Sequence, residues 1–495
     1  MRTTLVETTS GKVQGYEQGA ITVWKGIPFA HPPIAHRRFL PPQPPQPWSG
    51  VLDATQFGSA ALQSTRLGNA SAAGGRSSSE DCLSLNIWSP GTEGQKRPVM
   101  VYIHGGGFVI GSACEPLYDG TSFATQHDIV VVTCNYRLGL LGFLYLGDLA
   151  GSAYTQGNAA LLDQIAALQW VHDNIAAFGG DPDRVTVMGE SAGAMSIGNL
   201  LAMPAARGLF QGAILESGAC SSILLTREQA TSITQTVLKK LDLHASQVLT
   251  LTQVPAETLL AVQEEVDREW RGMEAFAPVI DGVSLPAHPL ELMTQGASLP
   301  VPLLIGSNRD EWRLFTVLLG GNMEEVKADL SQLFGAATGQ VHEIYTQGRA
   351  DKGPELAWID MQGDRIFRIP AIRQAEAQVR QGAPVWMYRF DWVSPTFGGE
   401  LGACHGLEMP FVWNNLHTPF AQMLLGDAIA PIEPLVKRIH ATWAMFIRTG
   451  NPNTAALADW PRYDLTHRTT ILLNEVSQVV DDPQAEILSL WETVS

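Results

Sequence analysis

The sequence predicts an α/β fold: a large, mostly parallel central sheet with helices on both faces. Three observations carry that expectation. Short apolar, β-branched runs alternate with helical patterns through much of the chain. One long stretch, Ala159–Phe178, has clear helical periodicity and ends on the stop signal Gly179-Gly180-Asp181-Pro182. Hydrophobic residues make up 45% of the chain and charged residues 16%, which supplies an ample core and rules out a disordered chain.

Taken in order, Leu5–Val13 and Ala20–Lys25 read as an antiparallel hairpin at the sheet edge. Pro41-Pro42-Gln43-Pro44-Pro45-Gln46-Pro47 is a stiff extended connector; a proline-rich ligand for a partner domain is the alternative. Gln63–Ser79, rich in Ser, Ala and Gly, reads as a mobile surface loop. The predicted sheet strands are Val99–Ile103, Ile129–Thr133, Val185–Met188, Gly212–Leu215, Val301–Ile305, Val385–Phe390 and Thr470–Leu473. In the helix 159–178, Leu161, Leu162, Ile165, Leu168, Ile175 and Ala176 line one side, and Asp163, Gln164, His172 and Asp173 mark the other. Thr226–Asp267 is helical and charged and belongs over the sheet rather than in it. No solenoid repeat and no convincing linker occurs, so residues 1–495 are expected to form a single domain with helical insertions at about 226–290 and 320–380.

Lys and Arg total 32 against 49 Asp and Glu, a net charge of −17. That balance argues against nucleic acid or an anionic membrane as partner. The five cysteines, Cys82, Cys114, Cys134, Cys220 and Cys404, are odd in number and scattered, unlike a disulfide framework. No Cys-x-x-Cys and no His-Glu-x-x-His occurs, so no metal is expected, and no organic cofactor is called for. No run of about 18 apolar residues is present to span a membrane. The segment Met1-Arg2-Thr3-Thr4-Leu5-Val6-Glu7 lacks the apolar stretch of a secretion signal. The expectation is a soluble, cytoplasmic protein, monomeric or weakly homo-oligomeric.

The chemistry is concentrated at Gly189-Glu190-Ser191-Ala192-Gly193. A strand-like run, Val185–Met188, precedes it, and a helix-like run from Ala194 to Met203 follows. This is a Gly-x-Ser-x-Gly nucleophile elbow in its strand–turn–helix setting. The sharp turn pushes the Ser191 hydroxyl into the open and aims the new helix's N–H groups toward it. A serine hydroxyl is a poor nucleophile until a base takes its proton, and the base needs a carboxylate to hold its tautomer. In the α/β-hydrolase layout those partners follow the serine, acid first and histidine second.

The acid candidates stand after the strand 301–305, in Gly306-Ser307-Asn308-Arg309-Asp310-Glu311-Trp312. Glu311 is favoured and Asp310 is the alternative; alone, Asp310 would read as a helix N-cap and Glu311 as a solvated first-turn acid. Five histidines follow: His342, His405, His417, His440 and His467. His440 falls in the amphipathic pattern Pro434–Ile447, His467 in a polar turn and His342 in a polar helical stretch. His405, in Gly402-Ala403-Cys404-His405-Gly406 after the strand 385–390, is the favoured base, with His417 second. Acyl transfer also needs donors for the developing oxyanion. His104-Gly105-Gly106-Gly107-Phe108 directly follows the strand 99–103, and its glycines let backbone N–H groups face a ligand; an ordinary turn is the bland reading. The Ala192 N–H supplies a further donor.

With these residues the chain resembles the type-B carboxylesterases, the group that includes bacterial p-nitrobenzyl esterases and animal cholinesterases, and it looks most like the former. The match runs nearly end to end. It includes Lys25-Gly26-Ile27-Pro28-Phe29-Ala30, Arg38-Phe39, Ser79-Glu80-Asp81-Cys82-Leu83-Ser84-Leu85-Asn86 and Asn135-Tyr136-Arg137-Leu138-Gly139. It continues through Phe178–Pro182, the elbow, Glu216-Ser217-Gly218 and Cys404-His405-Gly406-Leu407-Glu408. The resemblance implies an α/β-hydrolase fold, a triad of Ser191, Glu311 and His405, and an oxyanion hole from the N–H groups of Gly106, Gly107 and Ala192. It places Glu190 and Ser217 near the triad; a buried hydroxyl ending a strand is the other reading of Ser217. Arg38 with Glu80, and Arg137 with Asp163, match structural ion pairs.

Departures qualify the match. Secreted members bridge the cysteine at the Cys82 position to one upstream, and no cysteine precedes Cys82 here, which fits a reducing compartment. Trp312 stands where relatives carry a smaller residue or tyrosine, so it either narrows the pocket or packs outward. The choline-binding tryptophan of cholinesterases falls in a region too divergent to align, so choline specificity is not implied. The expected activity is hydrolysis of small carboxylic esters, short-chain or aryl and benzyl, through an acyl-enzyme. The alternatives are amide or carbamate hydrolysis on the same triad, or a non-catalytic binding protein of this fold.

Overall fold

Strand pairing places thirteen strands in one sheet, and the chain doubles back within that sheet beside the elbow. The computed structural model describes residues 2–64, 77–92, 96–151, 154, 157–270, 275–348, 353–457 and 459–494. Its strands are β1 Thr3–Thr8, β2 Gly11–Gln18, β3 Ile21–Pro28, β4 Val51–Asp53, β5 Ala60–Ala61, β6 Ser78–Ser79, β7 Ser84–Ser89 and β8 Arg97–Ile103. There follow β9 Val130–Cys134, β10 Gly180–Glu190, β11 Gly212–Glu216, β12 Leu303–Asn308, β13 Val385–Phe390, β14 Thr470–Leu473 and β15 Gln478–Val480. The order is β1-β2-β3-β7-β9-β8-β10-β11-β12-β13-β14-β15, with β4 on β2 and a separate β5–β6 pair. The run from β9 through β14 is parallel, and antiparallel strands flank it on both sides.

The chain passes from β8 outward to β9, then crosses to the far side of β8 to form β10. Such a switch point opens a crevice at the carboxyl ends of the two strands. The glycine run follows β8 and Ser191 follows β10, so both flank that crevice.

The predicted strands all fall in this sheet; Val385–Phe390 and Thr470–Leu473 keep their predicted ends and the others shift. The run 301–305 starts at Leu303 instead, because Pro302 has no N–H for the ladder, and it continues through Gly306, Ser307 and Asn308. The opening hairpin is in fact a three-stranded meander, since Leu5–Val13 contains the turn at Thr9-Ser10. β7 escapes the pattern because Ser84, Asn86 and Ser89 interrupt its apolar residues. Of the loop Gln63–Ser79, residues 65–76 lie outside the described residues; Gln63 is buried and hydrogen-bonds to Gly111.

The long helix runs Ala159–Asn174 with a 3-10 turn to Phe178, and Gly179 closes it at φ 84°. Its polar side differs from expectation. His172 and Asp173 are exposed, but Asp163 and Gln164 are completely buried, and Ala176 is exposed. Asp163 is buried because it pairs with Arg137 through two short contacts, 2.7 and 2.8 Å, and Gln164 because it binds Ser196. Arg38 grips Glu80 the same way, at 2.6 and 2.7 Å. The first ties the loop carrying Arg137 to the long helix, and the second joins two loops, with Arg38 also reaching the carbonyls of Leu251 and Val254. The segment after Thr226 holds helices Arg227–Lys240 and Ala256–Glu269, and a second helical group runs from Met323 to Arg380.

Side-chain alternation splits the core between the two sheet faces. Val99, Val101 and Ile103 pack toward the long helix and the helix Ala192–Leu200. Met100, Tyr102, Met188, Ile214 and Leu304 pack toward the helix Ile429–Thr449. Each fully buried aliphatic side chain contributes about 1.5–3 kcal/mol, which anchors the strand ends that carry the site.

Candidate active site

β10 ends at Glu190 and the helix Ala192–Leu200 begins immediately, leaving Ser191 as the corner. Ser191 sits at φ 55°, ψ −125°, a conformation that costs about 1–3 kcal/mol in a non-glycine residue. Two backbone bonds hold it: Ser191 N–H donates to Glu216 O at 2.9 Å, and Met195 N–H donates to Ser191 O at 2.9 Å. The flanking glycines are required by space. A Cβ on Gly193 would lie 2.0 Å from Ile103 O, and one on Gly189 2.7 Å from Gly193 C.

The glycine run lies against the elbow. A Cβ on Gly105 would stand 2.7 Å from Glu190 O and 3.1 Å from Ser191 Cβ. Gly106 and Gly107 have φ of 110° and 58°. Among the described residues, no acceptor takes the N–H of Gly106, Gly107 or Ala192. His104 is buried and stacked on Tyr136, and burial, only partly offset by the Gly105 carbonyl, lowers its pKa to about 4. It stays neutral and adds no charge to the crevice.

Of the two adjacent carboxylates after β12, it is Glu311 that meets an imidazole. Its Oε2 lies 2.7 Å from His405 Nδ1, and its Oε1 accepts the Asn308 N–H at 2.7 Å. Asp310 does neither this nor the capping: it accepts the Ala403 N–H and pairs with Arg309 and Arg313. The short helix Arg313–Val317 has no side-chain cap. His405 Nε2 lies 3.1 Å from Glu190 Oε1. Ser191 Oγ makes no hydrogen bond to His405; the imidazole edge borders the elbow through Glu190, the residue before the serine.

The remaining histidines point elsewhere. His342 bonds the Pro354 carbonyl, His440 is buried on Phe123 and Val412 O, His467 pairs with the Asp464 carboxylate, and His417 is exposed in a loop. Phe367 and Phe315 pack on the His405 ring at 4.6 and 5.3 Å between centroids. Trp312 stacks on Phe315 at 4.5 Å and so reaches the site through it.

Charge in the site is unusual. Burial opposes a charged His405, but the carboxylates of Glu190 and Glu311 outweigh it and raise its pKa to about 9. Burial raises Glu190 to about 7, with His405 opposing and Glu311 reinforcing. Burial also raises Glu408 to about 8, aided by Glu190 and Glu311. Ser217, at φ 50°, donates to Glu408 Oε1 at 3.3 Å, and Asn308 Nδ2 donates to Glu408 Oε2. So Ser217 approaches Glu408 while Glu190 touches the imidazole. Glu408 and Asn308 were in view in the sequence only as motif members; nothing local shows that β12 and the histidine loop bring them together.

No group of three or more His, Cys, Asp or Glu placed to hold a metal occurs among the described residues. Nor is any described helix long and apolar enough to cross a membrane.

A switch-point crevice with a serine elbow, a facing glycine run and an acid–imidazole pair from successive strands defines an α/β hydrolase. The model of the carboxylesterase family matches residues 2–491. The para-nitrobenzyl esterase of Bacillus subtilis is 42% identical over 488 residues, covering 97% of each chain. Phenmedipham hydrolase of Pseudarthrobacter oxydans is 34% identical over 93% of this chain and 92% of its own. The crystal structure of the Geobacillus stearothermophilus carboxylesterase at pH 6.2 superposes with a TM-score of 0.89 at 41% identity, covering 99% of this chain and all of that one. The chain belongs to the carboxylesterase family. It is a carboxylic ester hydrolase acting on small-molecule esters.

Proposed function

We propose that Ser191 is the nucleophile, His405 the base and Glu311 the acid of a two-step ester hydrolysis. One observation carries the reading: the 2.7 Å contact between Glu311 and His405, made beside Glu190-Ser191. Ser191 Oγ attacks the ester carbonyl as His405 Nε2 takes its proton. The oxyanion receives the N–H groups of Gly106, Gly107 and Ala192. His405 then protonates the leaving alcohol, and the acyl group stays on Ser191. A water, deprotonated by the same imidazole, releases the acid. Glu311, 2.7 Å from the ring, keeps the proton of His405 on Nδ1. Glu190 adds a second negative charge to the imidazolium.

The substrates are short-chain or aryl and benzyl esters, in line with the para-nitrobenzyl esterase and with the aromatic rings around His405. The protein works as one catalytic domain, monomeric or weakly self-associating, in the cytoplasm; five buried free thiols suit a reducing compartment. Ser191→Ala is expected to fold normally and lose nearly all p-nitrophenyl ester turnover. An organophosphonate should label Ser191 in the parent and nothing in the variant. Substantial turnover by purified Ser191→Ala would refute the assignment.

A further inference from the structure

We propose that Asp310 is the positioning residue that holds the His405 loop against the acid; the inference rests on the Ser191–His405–Glu311 reading above. Glu311 and His405 come from loops after different strands, β12 and β13, so their contact needs one loop fixed on the other. Asp310 does this twice. Its N–H donates to Ala403 O at 2.9 Å, and its Oδ2 accepts the Ala403 N–H at 2.8 Å. Such a reciprocal pair sets both the separation and the rotation of the two strands of chain. It lies one residue before the acid and two before the imidazole. His405 N–H to Glu311 O at 3.3 Å and Asn308 Nδ2 to Cys404 O at 2.7 Å continue the seam.

The surroundings are built for this contact. Gly402, at φ 60°, lets the carboxylate approach; a Cβ there would stand 2.5 Å from Asp310 Oδ2. The carboxylate is fully buried and is flanked by Arg309 and Arg313 at 3.0 Å each. Arg313 is nearly as buried, so the two charges compensate each other inside the fold. Asp310 acts through the Ala403 backbone, whereas its neighbour Glu311 acts on the ring.

Removing Asp310 alone would strand the Arg313 charge, so the test uses double variants. Asp310→Asn with Arg313→Met removes both charges and keeps an oxygen for the Ala403 N–H; it should retain most of kcat. Asp310→Ala with Arg313→Met removes the oxygen too. It should lose about 10²-fold in kcat, as expected for a base displaced by an ångström, with KM nearly unchanged. The far-downfield proton resonance of the His405 Nδ1–H···Glu311 bond should persist in the first and vanish or broaden in the second. Gly402→Ala, which displaces the carboxylate without changing charge, should reproduce the loss. Equal kcat in the two double variants, or an unchanged resonance in Asp310→Ala/Arg313→Met, would overturn the proposal. If the Ala double variant does not fold, full activity in Gly402→Ala overturns it. Activity surviving in Ser191→Ala would instead sink the underlying triad reading.

Discussion

His405 Nε2 lies 3.1 Å from a carboxylate oxygen of Glu190, the residue that immediately precedes the elbow serine. The imidazole is therefore held between two acids, Glu311 on Nδ1 and Glu190 on Nε2. Glu311 sets the tautomer. In the proposed mechanism Glu190 stands on the side where the proton from Ser191 arrives, and so it favours the imidazolium that forms as the serine attacks.

The first prediction concerns Glu190→Gln. A general base must be neutral to work, so activity falls on the acid side as His405 takes a proton. Glu190 and Glu311 together outweigh burial and raise the His405 pKa from 6.5 to about 9. Removing one of the two charges must move it down. The acid limb of kcat/KM should shift to lower pH in Glu190→Gln, while kcat at the plateau falls because the imidazolium loses a partner. An acid limb that stays in place or moves upward would show that Glu190 does not act on His405.

The same groups make folding stability depend on pH. Glu190 is raised to about 7, Glu408 to about 8 and His405 to about 9. In each case the folded protein holds its proton more tightly than the unfolded chain. Their contribution is full below the unfolded pKa values and is lost as pH rises through the folded ones. The melting temperature should therefore fall from about pH 5 to about pH 9, and fall less in Glu190→Gln. A flat or rising profile for the parent protein contradicts this charge arrangement.

How far the site could be read in the sequence follows from the distance over which its parts communicate. Ser191 and the glycine run announce themselves locally, because an elbow and a glycine triplet are demanded by close packing within a few residues: Gly193 against Ile103, Gly105 against Glu190. Glu311 and His405 needed the order of strands as well, and Asp310 beside Glu311 shows the limit. The motif favours Glu311, but what separates the two acids physically lies elsewhere in the chain: their partners, Ala403 and His405, are about ninety residues away. Asp163 and Gln164 show a different limit. Periodicity only set them opposite the apolar side; the resemblance supplied the Arg137–Asp163 pair, while nothing local pointed to Ser196 meeting Gln164 inside the fold. Buried polar networks such as Glu190, Glu408 and Asn308 carry no periodic signature at all.

Asp163 gives the third prediction. Its side chain is wholly buried, Arg137 is 3% exposed, and the guanidinium also reaches the carbonyls of Leu40 and Ala159. Asp163→Ala leaves that charge uncompensated, at a cost of about 3–5 kcal/mol in chemical denaturation. Replacing both residues by apolar ones of similar volume should recover much of it. The exposed helical pair Glu433–Lys437 serves as the contrast: breaking it should change little. Equal, small effects at both pairs would mean that Arg137 finds water in the folded state.

The last prediction sets two glycines against each other. Gly106 and Gly320 both have positive φ, 110° and 65°. At Gly320 an added Cβ meets nothing within 4 Å, whereas at Gly106 it would lie 2.1 Å from the Ile110 carbonyl oxygen. Gly320→Ala therefore strains only its own backbone. It should lower the melting temperature slightly and leave kcat alone. Gly106→Ala must rotate or displace the peptide whose N–H is meant to receive the oxyanion. Loss of one such donor costs about 10²–10³ in kcat. The expectation is a fall of that size with KM little changed, because the ground-state carbonyl gains less from the donor than the tetrahedral intermediate does. Circular dichroism and melting separate this from misfolding. A well-folded Gly106→Ala with parental kcat would remove the glycine run from the mechanism and leave the oxyanion without its second source of donors.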